Sequence, residues 1–287
     1  MLIGIVAVAA ALALVLGGVF RNLKLDPAGS GSPSVAPPVE HPAATEIEGT
    51  VLCDQKGIRV TATGFDFSSD WGFSVLVTLE NTTENDYAVQ VEKSAINHCM
   101  VDAYFSCDVA AGETVADEIS FDYESIEAAG IEEIGEIDLS LDVFDWDTYE
   151  DLFISELVTL RTGQTGEVSR PAPEGDLLLD ADGIRISYLG CEVDSYGDGI
   201  VYLFIENDTA REINVTSTVF GIDNLQTDGL LYANILPGYA TLATVYIWDQ
   251  ELAADALDDV QFGMAFDVYD AENYEVVNQT DLLPFHS

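Results

Sequence analysis

The chain has 287 residues and carries 52 Asp or Glu against 9 Lys or Arg, a formal charge of −43. Such an excess of carboxylate repels phosphate, which excludes nucleic-acid binding through a basic face and leaves no polybasic arm for anionic lipid head groups. With 48% hydrophobic and 10% aromatic residues, the chain is too apolar to stay unfolded, and its length suits about two domains of ordinary size.

The first element in chain order is an apolar run, LIGIVAVAAALALVLGGVF (2–20), without one polar side chain. At the α-helical rise it spans about 28 Å, close to the hydrocarbon core of a bilayer. It lacks the basic leader and the small-x-small cleavage site of a secretory signal. Residues 1–24 therefore read as a transmembrane anchor, with residues 2–20 as the membrane partner. Residues 25–45 (LDPAGSGSPSVAPPVEHPAAT) are too rich in Pro, Ser, Gly and Ala to bury a core, and read as a stalk. Arg21 and Lys24 follow the helix with nothing basic before it, so the positive-inside rule alone would keep the remainder cytoplasmic. The stalk argues for the outside, and the expected placement is a single-pass cell-membrane protein with extracytoplasmic domains.

Beyond the stalk the chain is written twice. At an offset of 126 residues, Asp54, Gly57, Ile58, Arg59 and Gly64 fall on Asp180, Gly183, Ile184, Arg185 and Gly190. Without a gap, Glu80, Asn81 and Thr83 then fall on Glu206, Asn207 and Thr209. A one-residue slip later brings Val143-Phe144-Asp145 onto Val268-Tyr269-Asp270. A fixed period is the mark of a repeat. It divides the chain into repeats at 46–163 and 176–287, with a linker at 164–175 that contains Pro171 and Pro173.

Within each repeat the hydrophobic period is two, the period of half-buried strands. Strands are expected near 57–65, 73–79, 87–92, 115–121 and 136–144, and near 183–191, 200–205, 212–219, 241–248 and 260–269. A short helical insert falls in each copy, at Glu124–Ala129 and at Gln250–Leu257. Turn signals recur every 8–12 residues, which suits an antiparallel sandwich. The fold class is thus all-β: two tandem antiparallel immunoglobulin-like β-sandwiches, each with one short helical insert, after a transmembrane helix and a stalk.

The opening DQKGIRV (54–60), the strand end Glu80-Asn81-Thr82-Thr83 and the AIN turn (95–97) resemble a known family. So do SCDVAAGE (106–113), AAGIEEIGEI (128–137) and VFDWDTYEDLF (143–153). It is a tandem immunoglobulin-like domain of unknown function from membrane-anchored surface proteins of Gram-positive gut bacteria. The second copy keeps GIRI, IEND and FDVYD. The resemblance implies a surface protein, and no catalytic or binding residues carry over from it.

The residues give no catalytic, cofactor-binding or metal site. There is no GxSxG elbow, HExxH, Walker loop or SxxK. Cys53 and Cys191 align with Leu179 and Phe65, so both read as packing positions. Cys99 and Cys107 would form a disulfide if their Cα atoms came within about 7 Å. His98 beside Cys99 suggests a zinc pair, but no second pair completes four ligands. Asp194–Gly199 resembles the start of an EF-hand loop, with Ile205 where Glu belongs. Asp142, Asp145 and Asp147 cluster, and Asp180 and Asp182 flank a turn. Asn81, Asn207, Asn214 and Asn278 each begin an N-x-T sequon, or else are turn and strand residues. Trp71, Trp146 and Trp248 read as packing residues, with Trp146 a candidate exposed contact.

These readings converge on a non-enzymatic, membrane-anchored protein for binding or spacing, with a protein or glycan ligand at the cell surface and no cofactor. Two alternatives stand beside it: a calcium-dependent adhesion module, and a cell-envelope enzyme or subunit using a carboxylate pair on glycans.

Overall fold

A computed structural model describes residues 45–69, 72–163, 168–194, 198–222, 225–227, 229–247, 257 and 260–287. The anchor (1–24), nearly all of the stalk, Trp71, Trp248 and the second helical insert except Leu257 lie outside the described residues. Among the described residues, no helix is long and apolar enough to cross a membrane.

The protein is all-β, with sandwich-like sheets. The first half holds β1 (Thr45–Gln55), β2 (Ile58–Ser69), β3 (Gly72–Asn81), β4 (Tyr87–Ile96), β5 (Cys99–Met100), β6 (Ala103–Tyr104), β7 (Ser106–Val109) and β8 (Thr114–Phe121). The helix α1 (Tyr123–Ala128) follows, then β9 (Glu136–Asp145), β10 (Asp151–Ile154) and β11 (Val158–Arg161). The second half holds β12 (Asp176–Ala181), β13 (Ile184–Val193), β14 (Gly199–Asn207), β15 (Ile213–Ile222), β16 (Leu225–Thr227), β17 (Gly229–Leu230), β18 (Tyr232–Ile235), β19 (Ala240–Ile247), β20 (Gln261–Asp270), β21 (Val276–Gln279) and β22 (Leu283–His286).

The strands pair in the same order in both halves. β1-β2-β3-β8-β6 has its counterpart in β12-β13-β14-β19-β17. The facing set, β9 between β4 and β10/β11, corresponds to β20 between β15 and β21/β22. The bulges repeat too. A register shift at Ala62/Gly64 matches one at Tyr188/Gly190, and another at Val91/Lys93 matches Ser217/Val219.

Local chemistry explains these elements. Lys56 and Gly57 both have positive φ (51° and 86°), as do Asp182 and Gly183 (55° and 79°). Two successive residues of that kind make the tight hairpin turn whose twist matches its strands. In β9, EIDLSLDVFD, the alternation sends Ile137, Leu139, Leu141 and Val143 into the core and Asp138, Ser140, Asp142 and Phe144 to the opposite face. Asp122 caps α1 by accepting from the Ser125 amide, and Ile126 is the residue the helix buries.

Each half closes its own core. Phe65, Phe73, Phe121, Ile119 and Leu139 fill the first; Phe262, Phe266, Ile186, Val245 and Met264 fill the second. The halves also meet. β5 pairs in parallel with β19, Ala240 against Cys99 and Thr241 against Met100, so one eleven-stranded sheet crosses from one half to the other. Phe204 and Ala240 pack into the first core, and Met100 packs against the second.

Candidate functional site

Among the described residues, three places gather polar chemistry: the two Asn-x-Thr turns, the junction between halves, and the outer face of β9.

In the turns, Asn81 and Asn207 are buried and act in the same way, Asn207 reaching one further carbonyl, Leu236 O, at 3.1 Å. Asn81 Nδ2 donates to Asn85 O at 2.8 Å and Val109 O at 2.9 Å, while its Oδ1 accepts from the Thr83 amide and hydroxyl. Asn207 Nδ2 donates to Arg211 O and Ile235 O, and its Oδ1 accepts from the Thr209 amide and hydroxyl. These two sequons are structural clasps tying β3 to β7 and β14 to β18. The other two are also engaged: Asn214 accepts from Tyr232 Oη, and Asn278 donates to Asp182.

At the junction, Arg170 of the linker pairs with Glu206 at 2.7 Å and with Asp208 at 2.8 Å. Lys93 donates to both carboxylate oxygens of Glu212 at 2.7 Å. Tyr239 Oη donates to Asp138 Oδ2, and the ring of His98 stands edge-on to that of Tyr239. The described part of the linker is thus strapped down rather than free, with Val168 over Gly135 and Pro171 and Pro173 over Gly130. A cleft of about 410 Å³ lies beneath it, lined by Asn97, Ile131, Glu132, Glu133, Arg170 and Pro171 among others. Its two acids are adjacent in the chain and both exposed, not a facing pair.

The cysteines are free thiols. Cys99 and Cys107 sit opposite Ile96 and Val89 of β4, seven positions apart along one strand, or about 20 Å at the strand rise. That spacing excludes the disulfide. Burial pushes the Cys53 thiol up to about 11, and those of Cys99 and Cys107 up to about 12. Groups this reluctant to ionise carry little thiolate, which suits the packing positions they occupy. His98 turns toward Glu136, at 3.6 Å, while Cys99 is in the core, so the two do not form a ligand pair.

The acidic loops are occupied by their own turns. Asp145 Oδ1 accepts from the Asp147 and Thr148 amides and the Thr148 hydroxyl, and these bonds hold its carboxyl below the usual range. Asp194 Oδ1 accepts from the Asp198 amide, and residues 195–197 of that loop lie outside the described residues. Asp180 pairs with Arg185. Among the described residues, no group of three or more His, Cys, Asp or Glu is arranged to hold a metal ion.

The outer face of β9 differs from these. Asp142 is only 6% exposed. Its Oδ2 accepts from Gln90 Nε2 at 2.9 Å, but its buried Oδ1 has no partner. Burial raises its carboxyl above the ordinary value, and Asp151 adds to the rise. Glu92 is raised as well, by burial and then by Asp142. On the same face the Tyr149 ring stacks on Phe144 and leans on Trp146; Tyr149 and Trp146 are 71% and 46% exposed. Sequence reading marks Trp146 as a contact and Asp142 as part of an acidic group, but partner geometry alone reveals the bare oxygen.

No protein-family profile matches the chain. No curated protein matches it either. Among solved structures, the YadV chaperone is similar at 11% identity and a TM-score of 0.23, over 72% of this chain and 92% of that one. A protein of unknown function from Porphyromonas gingivalis matches at 13% identity and 0.22, over 84% and 96%. The CsuC–CsuE chaperone and tip adhesion subunit complex of Acinetobacter baumannii matches at 11% and 0.22, over 74% and 90%. At these TM-scores the likenesses carry no argument about fold detail or function.

Proposed function

We propose that the chain is a membrane-anchored, non-enzymatic extracytoplasmic protein in which two duplicated immunoglobulin-like sandwiches serve binding or spacing at the cell surface. The observation that carries this reading is the junction. A continuous sheet, the linker strap through Arg170 and the Lys93–Glu212 pair hold one half against the other. Fixing two modules in this way favours presenting a surface at a defined place over a hinged, closing active site. The equivalent strand orders and bulges of the two halves support the duplication, and the apolar run at 2–20 supports the anchor.

The test is fractionation with external proteolysis of intact cells expressing the full chain. The expected result is that the chain sediments with membranes and that protease added outside removes the folded part without lysis. Cleavage only after lysis would overturn the placement. Recovery of the full chain in the soluble fraction would overturn the anchor.

A further inference from the structure

We propose that the outer face of β9, centred on Asp142, binds a basic side chain of a partner protein, with arginine the best fit. This deepens the binding role just proposed and rests on it. The alternation of β9 and its pairings place Asp142 and Phe144 on one face with Gln90 and Ala88 of β4 and with Ile154 and Asp151 of β10.

Three observations meet there. The Oδ1 of Asp142 is a buried acceptor without a donor, an arrangement that costs free energy until a donor arrives. The carboxylates around it, Glu92 and Asp151, take part in none of the ion pairs among the described residues. Of the cations near this face, Lys93 is held by both oxygens of Glu212, and Lys56 donates to the Leu152 carbonyl of β10. The aromatic pair Tyr149 and Trp146 supplies exposed ring surface at the edge of the same face. A guanidinium is planar and weakly hydrated, so it can lie on a ring while donating to a carboxylate.

The second half carries the counterpart of this face. Asp267 occupies the place of Asp142, equally buried, and the residue opposite it on the edge strand is Gln279. Gln279 Nε2 donates to Asp267 Oδ1 at 2.6 Å. In the first half that opposite residue is Ile154, which has nothing to donate. Each buried carboxylate thus receives one glutamine donor, Gln279 on Asp267 Oδ1 and Gln90 on Asp142 Oδ2, and in the first half the other oxygen, Asp142 Oδ1, is left as a buried acceptor without a partner.

The test is calorimetric titration of the full chain in nanodiscs of zwitterionic lipid with a capped Gly-Arg-Gly peptide. Its citrulline analogue and a neutral chito-oligosaccharide run in parallel. Saturable one-to-one binding of the arginine peptide alone is expected. Asp142→Asn and Ile154→Gln should each weaken it by about fivefold or more, the size of one lost hydrogen bond, while Asp281→Asn, the same charge removed from an exposed site in the other half, should not. Ile154→Gln should also raise the melting temperature, because it supplies the donor that Gln279 supplies. Equal weakening by Asp142→Asn and Asp281→Asn would reduce the effect to bulk charge and overturn the site. So would undiminished binding of the citrulline peptide, binding of the oligosaccharide in place of arginine, no binding at all, or a lowered melting temperature for Ile154→Gln. None of these would touch the anchored two-module reading, which the fractionation decides separately.

Discussion

Asn81 and Asn207 show how much a single side chain can hold in this fold. Asn81 donates to two backbone carbonyls and Asn207 to three, and each orders the following turn through its Thr, so truncation removes the side-chain donor to a buried carbonyl, Val109 O or Ile235 O. Asn81→Ala should cost about 3 kcal/mol or more in chemical denaturation, since several bonds vanish and a buried acceptor loses its side-chain donor. Thr82→Ala, which removes one exposed bond to Gly57 O, should cost under about 1 kcal/mol on the same grounds. Equal losses would mean that the clasp contributes little. At the same scale the Asn-x-Thr pattern is visible in the sequence, but its two readings, sugar acceptor and turn residue, separate only once burial is known.

At the scale of elements, the hairpin turns set register. Gly57 sits at φ 86°, and a Cβ there would stand 2.7 Å from Thr83 Cγ2. Gly57→Ala should therefore lower stability by about 1–3 kcal/mol, from backbone strain and the clash together. Lys56→Gly, relieving a non-glycine residue at positive φ, should be neutral or mildly stabilising by denaturant midpoint. The long strands are legible from their period of two, and the insert at Glu124–Ala129 is found as α1, one residue earlier at each end. The short strands β5, β6 and β7 are not legible as separate elements. Two to four residues carry no measurable period, and their pairing to β4 and β8 is decided by what lies beside them.

For the whole molecule, charge dominates. Six of the seven described Lys and Arg are spent on ion pairs, at Arg59, Lys93, Arg161, Arg170, Arg185 and Arg211, so the remaining acids face one another unpaired. Screening shortens the reach of that repulsion from about 30 Å at 0.01 M salt to about 3 Å at 1 M. The melting temperature should rise steadily with NaCl. It should also rise on mild acidification from neutral pH. Asp142 and Glu92 have folded values above the ordinary carboxylate value, so between the ordinary value and the raised one the native state binds protons the unfolded state has already lost, and stability declines as pH rises through that interval. A melting temperature indifferent to both salt and pH would refute the charge argument. Saturation by millimolar CaCl₂ that MgCl₂ fails to reproduce would point instead to a specific calcium site.

The sequence by itself determined the all-β class, the repeat offset, the glycine-bearing turns and the excess of acid, because these follow from composition and from a period that each strand carries locally. Only the tertiary structure decided the rest. Cys99 and Cys107 are eight residues apart in sequence, but the path through β5 and β7 sets them at separate positions along β4. The linker with its two prolines resembles a loose joint, but Arg170 finds Glu206 and Asp208 across the junction. Asp142 and Asp267 alternate identically within their strands, but each finds its donor on a different neighbouring strand, Gln90 of β4 in one half and Gln279 of β21 in the other. Cross-strand partners come from distant parts of the chain, so local pattern can say which face a carboxylate takes, but not whether anything there will bond to it.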